Sequence, residues 1–232
     1  MNRSLITPIA LACALLGAAS AHATDTVSFG DFANGFEQVD VSVVAPNVPL
    51  TESVQAGGFL ASVNGGPSVV TYCINLYDGV QLDTTYTNFV LTDTSGHSFA
   101  NPNAGSDLGK LFAEGNVINT AASQAAMQIA IWEIAYETSG TYNLAQGSAT
   151  FTGGTAATSG ALTLASSWLG ALASQSGAVT LGVLESSQMG AFAATQDQVF
   201  TPAVPEPSTY ALLAGGLMCV GFMARRRAYR RG

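Results

Sequence analysis

Asn119-Thr-Ala-Ala-Ser-Gln-Ala-Ala-Met-Gln-Ile-Ala-Ile-Trp-Glu-Ile-Ala-Tyr-Glu137 is the stretch whose period decides the fold class. Asn119-Thr120 can cap a helix N-terminus, and the spacing that follows predicts a helix to about Glu137. Ala121, Gln124, Ala125, Gln128, Ile131, Trp132 and Ala135 fall on one face of it, with Ile131 and Trp132 expected in a core. Glu133 and Glu137, like-charged at i and i+4, are expected on the exposed face. Around this helix the period changes. Strands are expected over residues 27–29, 39–44, 58–63, 69–76 and 86–91, with Asn64-Gly-Gly-Pro67 as a turn. A short helix is expected over 107–114, with Leu108, Leu111 and Phe112 on one side. Residues 140–160 form a Gly/Ser/Thr/Ala loop with a strand near Thr150-Phe151, and 162–172 have helical spacing around Trp168. Strands over 179–184 and 198–201 close the domain. Strands at both ends of a helical middle indicate α+β, a β-sandwich or barrel-like domain with a helical insertion.

The two ends of the chain have a different character. Met1-Asn-Arg3, an apolar run over 5–19 and the A-x-A site Ala21-His-Ala23 form a secretory signal peptide. Residues 1–23 are expected to be removed, leaving a mature chain that begins near Thr24. At the other end, Pro205-Glu206-Pro207 precedes an uncharged apolar run over 210–224 and then Arg225, Arg226, Arg227, Arg230 and Arg231. The prolines deny the run an earlier helix start. The run is expected to be a single C-terminal transmembrane helix, with the arginines holding its end in the cytoplasm. Fifteen residues at about 1.5 Å rise span about 22 Å, short against a hydrocarbon core of about 30 Å. This tripartite tail, 204–232, resembles the PEP-CTERM sorting signal of Gram-negative bacteria. The resemblance implies a transient inner-membrane anchor, an exosortase as processing partner, cleavage near the Pro-Glu-Pro, and a destination at or beyond the cell surface.

Between the two ends, residues 24–203 are expected to form one exported domain. Six of the seven basic residues are Arg3 and the five tail arginines, so this segment keeps only Lys110 against fourteen acids. Such a charge repels nucleic acid and anionic lipid, and neither is expected as a partner. Cys13 leaves with the signal peptide and Cys219 lies in the apolar tail, so Cys73 is alone in the exported segment and no disulfide can form within it. It is then paired between molecules, buried, or chemically used. His97 follows Gly96 in a loop and is expected in solvent; a Cys–His hydrolase built on it and Cys73 is a third option. Asp78, Asp83 and Asp93 are expected to be solvated acids, since no calcium-loop spacing surrounds them. No metal site, phosphate loop, dinucleotide fingerprint or G-x-S-x-G is present, and no cofactor is expected.

Gln128 is the odd residue of the helical stripe. An unpaired carboxamide there would cost about 1–3 kcal/mol, so it needs a partner. Thr71-Tyr72-Cys73-Ile74 is a strand whose composition indicates burial, and packing it on the helix would let thiol and carboxamide meet. Tyr72-Cys73-Ile74 followed by Gln128-Ile-Ala-Ile-Trp132 resembles the signature of bacterial thioester domains, with Met127 where that family often has Thr or Ser. The resemblance implies a β-sandwich joined to a helical subdomain and an internal Cys73–Gln128 thioester supported by Tyr72 and Trp132. It also implies covalent capture of an amine-bearing surface ligand, a single-use coupling without turnover and therefore no enzyme. Read from the residues alone, Cys73 is a buried small hydrophobe and Gln128 a hydrogen-bonded core amide. Together these readings lead to the expectation of an exosortase-sorted surface or biofilm-matrix protein, a covalent adhesin if the thioester forms. The alternative is a non-covalent module for exopolysaccharide or another ordered surface, including ice.

Overall fold

The computed structural model describes residues 24–44, 48–187, 195–202, 213 and 215–220. Nine strands and three α-helices follow one another as β1 (Asp25–Phe32), β2 (Glu37–Val43), β3 (Leu50–Ala56), β4 (Phe59–Val63), β5 (Ser68–Cys73), β6 (Thr84–Asp93), α1 (Ala104–Ala113), α2 (Ala121–Tyr136), β7 (Ala149–Thr152), α3 (Ala156–Ala171), β8 (Gly182–Ser186) and β9 (Gln198–Phe200). Six strands close an antiparallel barrel in the order β1-β4-β5-β9-β8-β6, and the other three form a sheet in the order β3-β2-β7. Of the two expected forms, the structure is the barrel. Period-two burial drives it in β1 and β4, where Val27, Phe29, Phe59 and Ala61 are buried between more exposed neighbours, while Gly182, Val183 and Leu184 of β8 and all of β9 are buried on both faces. Phe29 meets Phe59, Tyr86 and Phe89 edge-on. The strand β3 was not expected from the sequence; it is an edge, paired only with β2.

The helix α2 lies against the three-stranded sheet, β5, α1 and α3. It starts where the capping residues placed it. Thr120 Oγ1 accepts from Ser123 N at 3.1 Å while Ser123 Oγ accepts from Thr120 N at 3.0 Å, a reciprocal capping box. The expectation of one buried face is corrected: every residue over 123–136 is buried. Ala, Ile and Met on the supposed outer face leave no polar stripe, and a helix apolar all round is an interior helix.

Glu133 and Glu137, expected in solvent, are also buried. Backbone donors from the following loop explain the difference. Glu133 Oε1 accepts from Asn143 N at 2.6 Å, and the Glu137 carboxylate accepts from Ser139 N at 2.7 Å and Ser148 N at 2.9 Å. Gly147 has φ +119°, and a Cβ there would overlap the Glu137 carboxylate, so only glycine fits that turn.

The signal peptide, Pro205-Glu206-Pro207 and Arg225, Arg226, Arg227, Arg230 and Arg231 lie outside the described residues. The expected span over 210–224 is described only at 213 and 215–220, which are helical. Among the described residues no helix is long and apolar enough to cross a membrane.

Candidate functional site

Strand β5 carries Cys73 past the end of its neighbour. Pairing between β4 and β5 stops at Phe59 opposite Thr71, so two residues further on Cys73 has no strand on that side. Its N–H and C=O are nevertheless satisfied. Gln128 Oε1 accepts from Cys73 N at 3.0 Å, and Gln128 Nε2 donates to Cys73 O at 2.7 Å. The carboxamide substitutes for the missing peptide group of β4. One turn earlier on α2, Gln124 Oε1 accepts from the Tyr72 hydroxyl at 2.6 Å. The structure thus brings Tyr72, Cys73 and Gln128 together, with Cys73 joined to Gln128 through its main chain.

The thiol has other partners. Cys73 Sγ donates to Gln196 Oε1 at 2.7 Å and accepts from Gln198 Nε2 at 3.2 Å. Gln198 stands opposite Cys73 across the β5–β9 pairing, and its Oε1 accepts from Thr71 Oγ1 at 3.1 Å. Gln196 Nε2 donates to Asn75 O. Burial pushes the thiol pKa up to about 12 despite the Gln198 bond, so the sulfur is protonated at neutral pH. Sequence reasoning missed both glutamines. Their alternation around Asp197, with the strand pattern after it, was the available signal.

Trp132 lies one turn beyond Gln128, buried at 2% exposure. Its ring is parallel to Phe151 at 6.4 Å between centroids. Its indole N–H has no hydrogen-bond partner. Trp132, Cys73 and Gln196 form part of the wall of a cavity of about 460 Å³ that runs along the edge strand β3. Phe32, Phe59, Leu76 and Val80 supply apolar wall, and among the described residues the only charged ones lining it are Glu52 and Asp78. Burial pushes the Asp78 carboxyl above its ordinary range.

Other sequence candidates fall elsewhere. His97 is not free in solvent: its Nδ1 lies 2.6 Å from Glu185 Oε1 and its ring packs on Phe99. It makes no pairing with Cys73, whose thiol is held by the two glutamines. Asp93 accepts from Ser95 and Gly96 in its own turn, and Asp78 accepts from Asn75. Among the described residues no group of three His, Cys, Asp or Glu could hold a metal ion. Lys110 bonds Asp107 at 2.8 Å.

A family model described as the PEP-CTERM protein-sorting motif matches residues 203–227. The chain carries a PEP-CTERM sorting motif. The match takes in Pro205, Glu206, Pro207, Arg225, Arg226 and Arg227, while Arg230 and Arg231 lie beyond it. A PEP-CTERM motif implies export, sorting to the cell surface and an exosortase as processing partner. The match does not reach the domain that holds Cys73 and Gln128. No curated protein and no solved structure matches the chain.

Proposed function

We propose that the exported domain is a non-enzymatic binding module of the cell surface or extracellular matrix, with the cavity beside Cys73 and Trp132 as its ligand site. The observation that carries this reading is the cavity itself, in whose wall the buried Trp132 stands with Phe32, Phe59 and Gln196. The cavity is within the size range of small-molecule sites, roughly 300–1,000 Å³. Export and surface sorting follow from the tail motif. The test is retention of the secreted protein on surface polysaccharide from the producing cells. Leu82, exposed at the cavity, offers a blocking position: Leu82→Trp abolishes retention on this reading, and undiminished retention rejects it.

A second reading, covalent capture, is favoured by the hydrogen bonds that hold the Gln128 carboxamide against Cys73. The Cys73 sulfur attacks Gln128 Cδ, and the amide nitrogen leaves as ammonia with the thiol proton. An incoming primary amine then attacks the thioester carbon, forming an amide on Gln128 and returning the thiol. Two features oppose it. The sulfur must leave Gln196 and Gln198, and losing Nε2 orphans the Cys73 carbonyl. Intact mass separates the readings: a thioester makes the secreted domain about 17 Da lighter, and methylamine adds to it. Full mass with no methylamine uptake leaves only the non-covalent module.

A further inference from the structure

We propose that the cavity beside Trp132 recognises a glycan residue with a free amine, an amino sugar of the glucosamine type. This rests on the cavity being the ligand site. Charge decides the first part. Among the described residues, Glu52 and Asp78 are the only charged ones in the lining, and the only lysine, Lys110, is tied to Asp107 on α1. An anionic sugar or phosphate finds no cation here, whereas an ammonium group finds two carboxylates. The raised Asp78 pKa has the sense expected of a desolvated carboxyl that an ammonium ion would bring back down.

Geometry decides the second part. Glu52 is opposite Val41, and Val41 is opposite Phe151, so the three form one row across the sheet. Trp132 stacks on Phe151 at the far end of that row. Glu52 and the Phe151 on which Trp132 stacks are therefore two strand spacings apart, about 10 Å. A ligand that fills the space between them carries an ammonium at the Glu52 end and a larger uncharged body at the Trp132 end. A simple alkylamine lacks that body. An amino sugar has hydroxyls for the neutral Gln38, Ser53, Gln55 and Gln196 of the lining, and its C–H faces suit Phe32 and Phe59.

The experiment uses the secreted protein with Trp168→Phe, which leaves Trp132 as the sole tryptophan. Its emission is followed during titration with glucosamine trisaccharide, its N-acetylated counterpart, cellotriose and a lysine tripeptide. The expected result is a saturable red shift with the glucosamine trisaccharide, at least about tenfold weaker binding of the other three, and weakening by salt. Glu52→Gln and Asp78→Asn should each weaken binding at least about fivefold with thermal unfolding unchanged. No response to the glucosamine trisaccharide overturns the proposal, as do equal binding of the uncharged sugars, preference for the peptide, or indifference to both substitutions. Surface retention of the Leu82→Trp variant separates the two levels. If retention is lost yet no amino sugar binds, the ligand class is wrong and the cavity stands; if retention persists, the cavity itself is wrong.

Discussion

The two halves of α2 are both packed inside the domain but differ in how their polar groups are satisfied. In the first half, Gln124 and Gln128 bond to Tyr72 and Cys73, and neither leaves a buried side-chain atom unpaired. In the second half, the Trp132 indole N–H and one Glu133 oxygen are buried with no partner. A fully paired polar group inside a protein fixes geometry, whereas an unpaired one is a cost that a ligand or a proton can relieve. The first half is where the helix is fastened to the barrel; the second is where the molecule can respond.

Substitutions can break this contrast. Gln128→Leu removes both bonds to Cys73 and orphans two buried main-chain groups, so a loss of about 2–6 kcal/mol is expected in urea unfolding. A smaller loss would mean that the carboxamide does not complete the sheet. Tyr72→Phe leaves only Gln124 Oε1 unsatisfied and should cost about 1–2 kcal/mol by the same measurement. Trp132→Phe deletes an N–H that had no partner, so the cost reduces to lost ring volume, about 1 kcal/mol. It should nevertheless reduce surface retention far more than Tyr72→Phe does.

Acidity gives a finer test. Glu133 is pushed up to about 7, mainly by burial and further by the Glu137 charge, against a lowering bond from Asn143. The folded state therefore holds this proton more tightly than the unfolded chain. Below about pH 4.5 both states are protonated and the group has no effect; stability should fall as pH rises from there through about 7. Glu133→Gln should flatten that slope in melting temperatures taken from pH 4 to 8. Burial also pushes Glu137 up, but the backbone donors of Ser139 and Ser148 outweigh it and hold the carboxyl below its ordinary range. Its contribution has the opposite sign, lost as pH falls below the ordinary carboxylate range. The smallest effect belongs to Lys110→Gln, which breaks a half-exposed pair on α1 and should change stability by less than about 1 kcal/mol.

Most of the architecture was legible because inward residues of strands and helices alternate with their own periods. The strand β3 was not, because Leu50-Thr-Glu-Ser-Val-Gln-Ala56 is a sheet edge with Thr51, Glu52 and Ser53 all exposed, so no alternation of buried positions marks it. Glu133 and Glu137 were misplaced for a related reason. Two acids at i and i+4 resemble a solvated face, and only the folded 139–148 loop brings the N–H groups that make burial tolerable. The meeting of Cys73 with Gln128 was visible in the stripe of α2, since a carboxamide beside a core tryptophan needs partners. Which atoms meet was not visible. That depends on where β4 stops, a feature of register, and on β9 delivering Gln196 and Gln198 from more than 120 residues away.

The last barrel strand is also the last structured element before the sorting motif. Phe200 pairs with Thr71 on one side and Gly182 on the other, so the wall is stitched shut up to that residue. Pro205 follows only five residues later, a leash that cannot exceed about 18 Å even fully extended. If the exosortase acts near Pro205-Glu206-Pro207, it works in the lee of a folded barrel or before β9 has zipped into place. Inserting flexible residues at this leash would show whether crowding or chemistry sets the pace of processing.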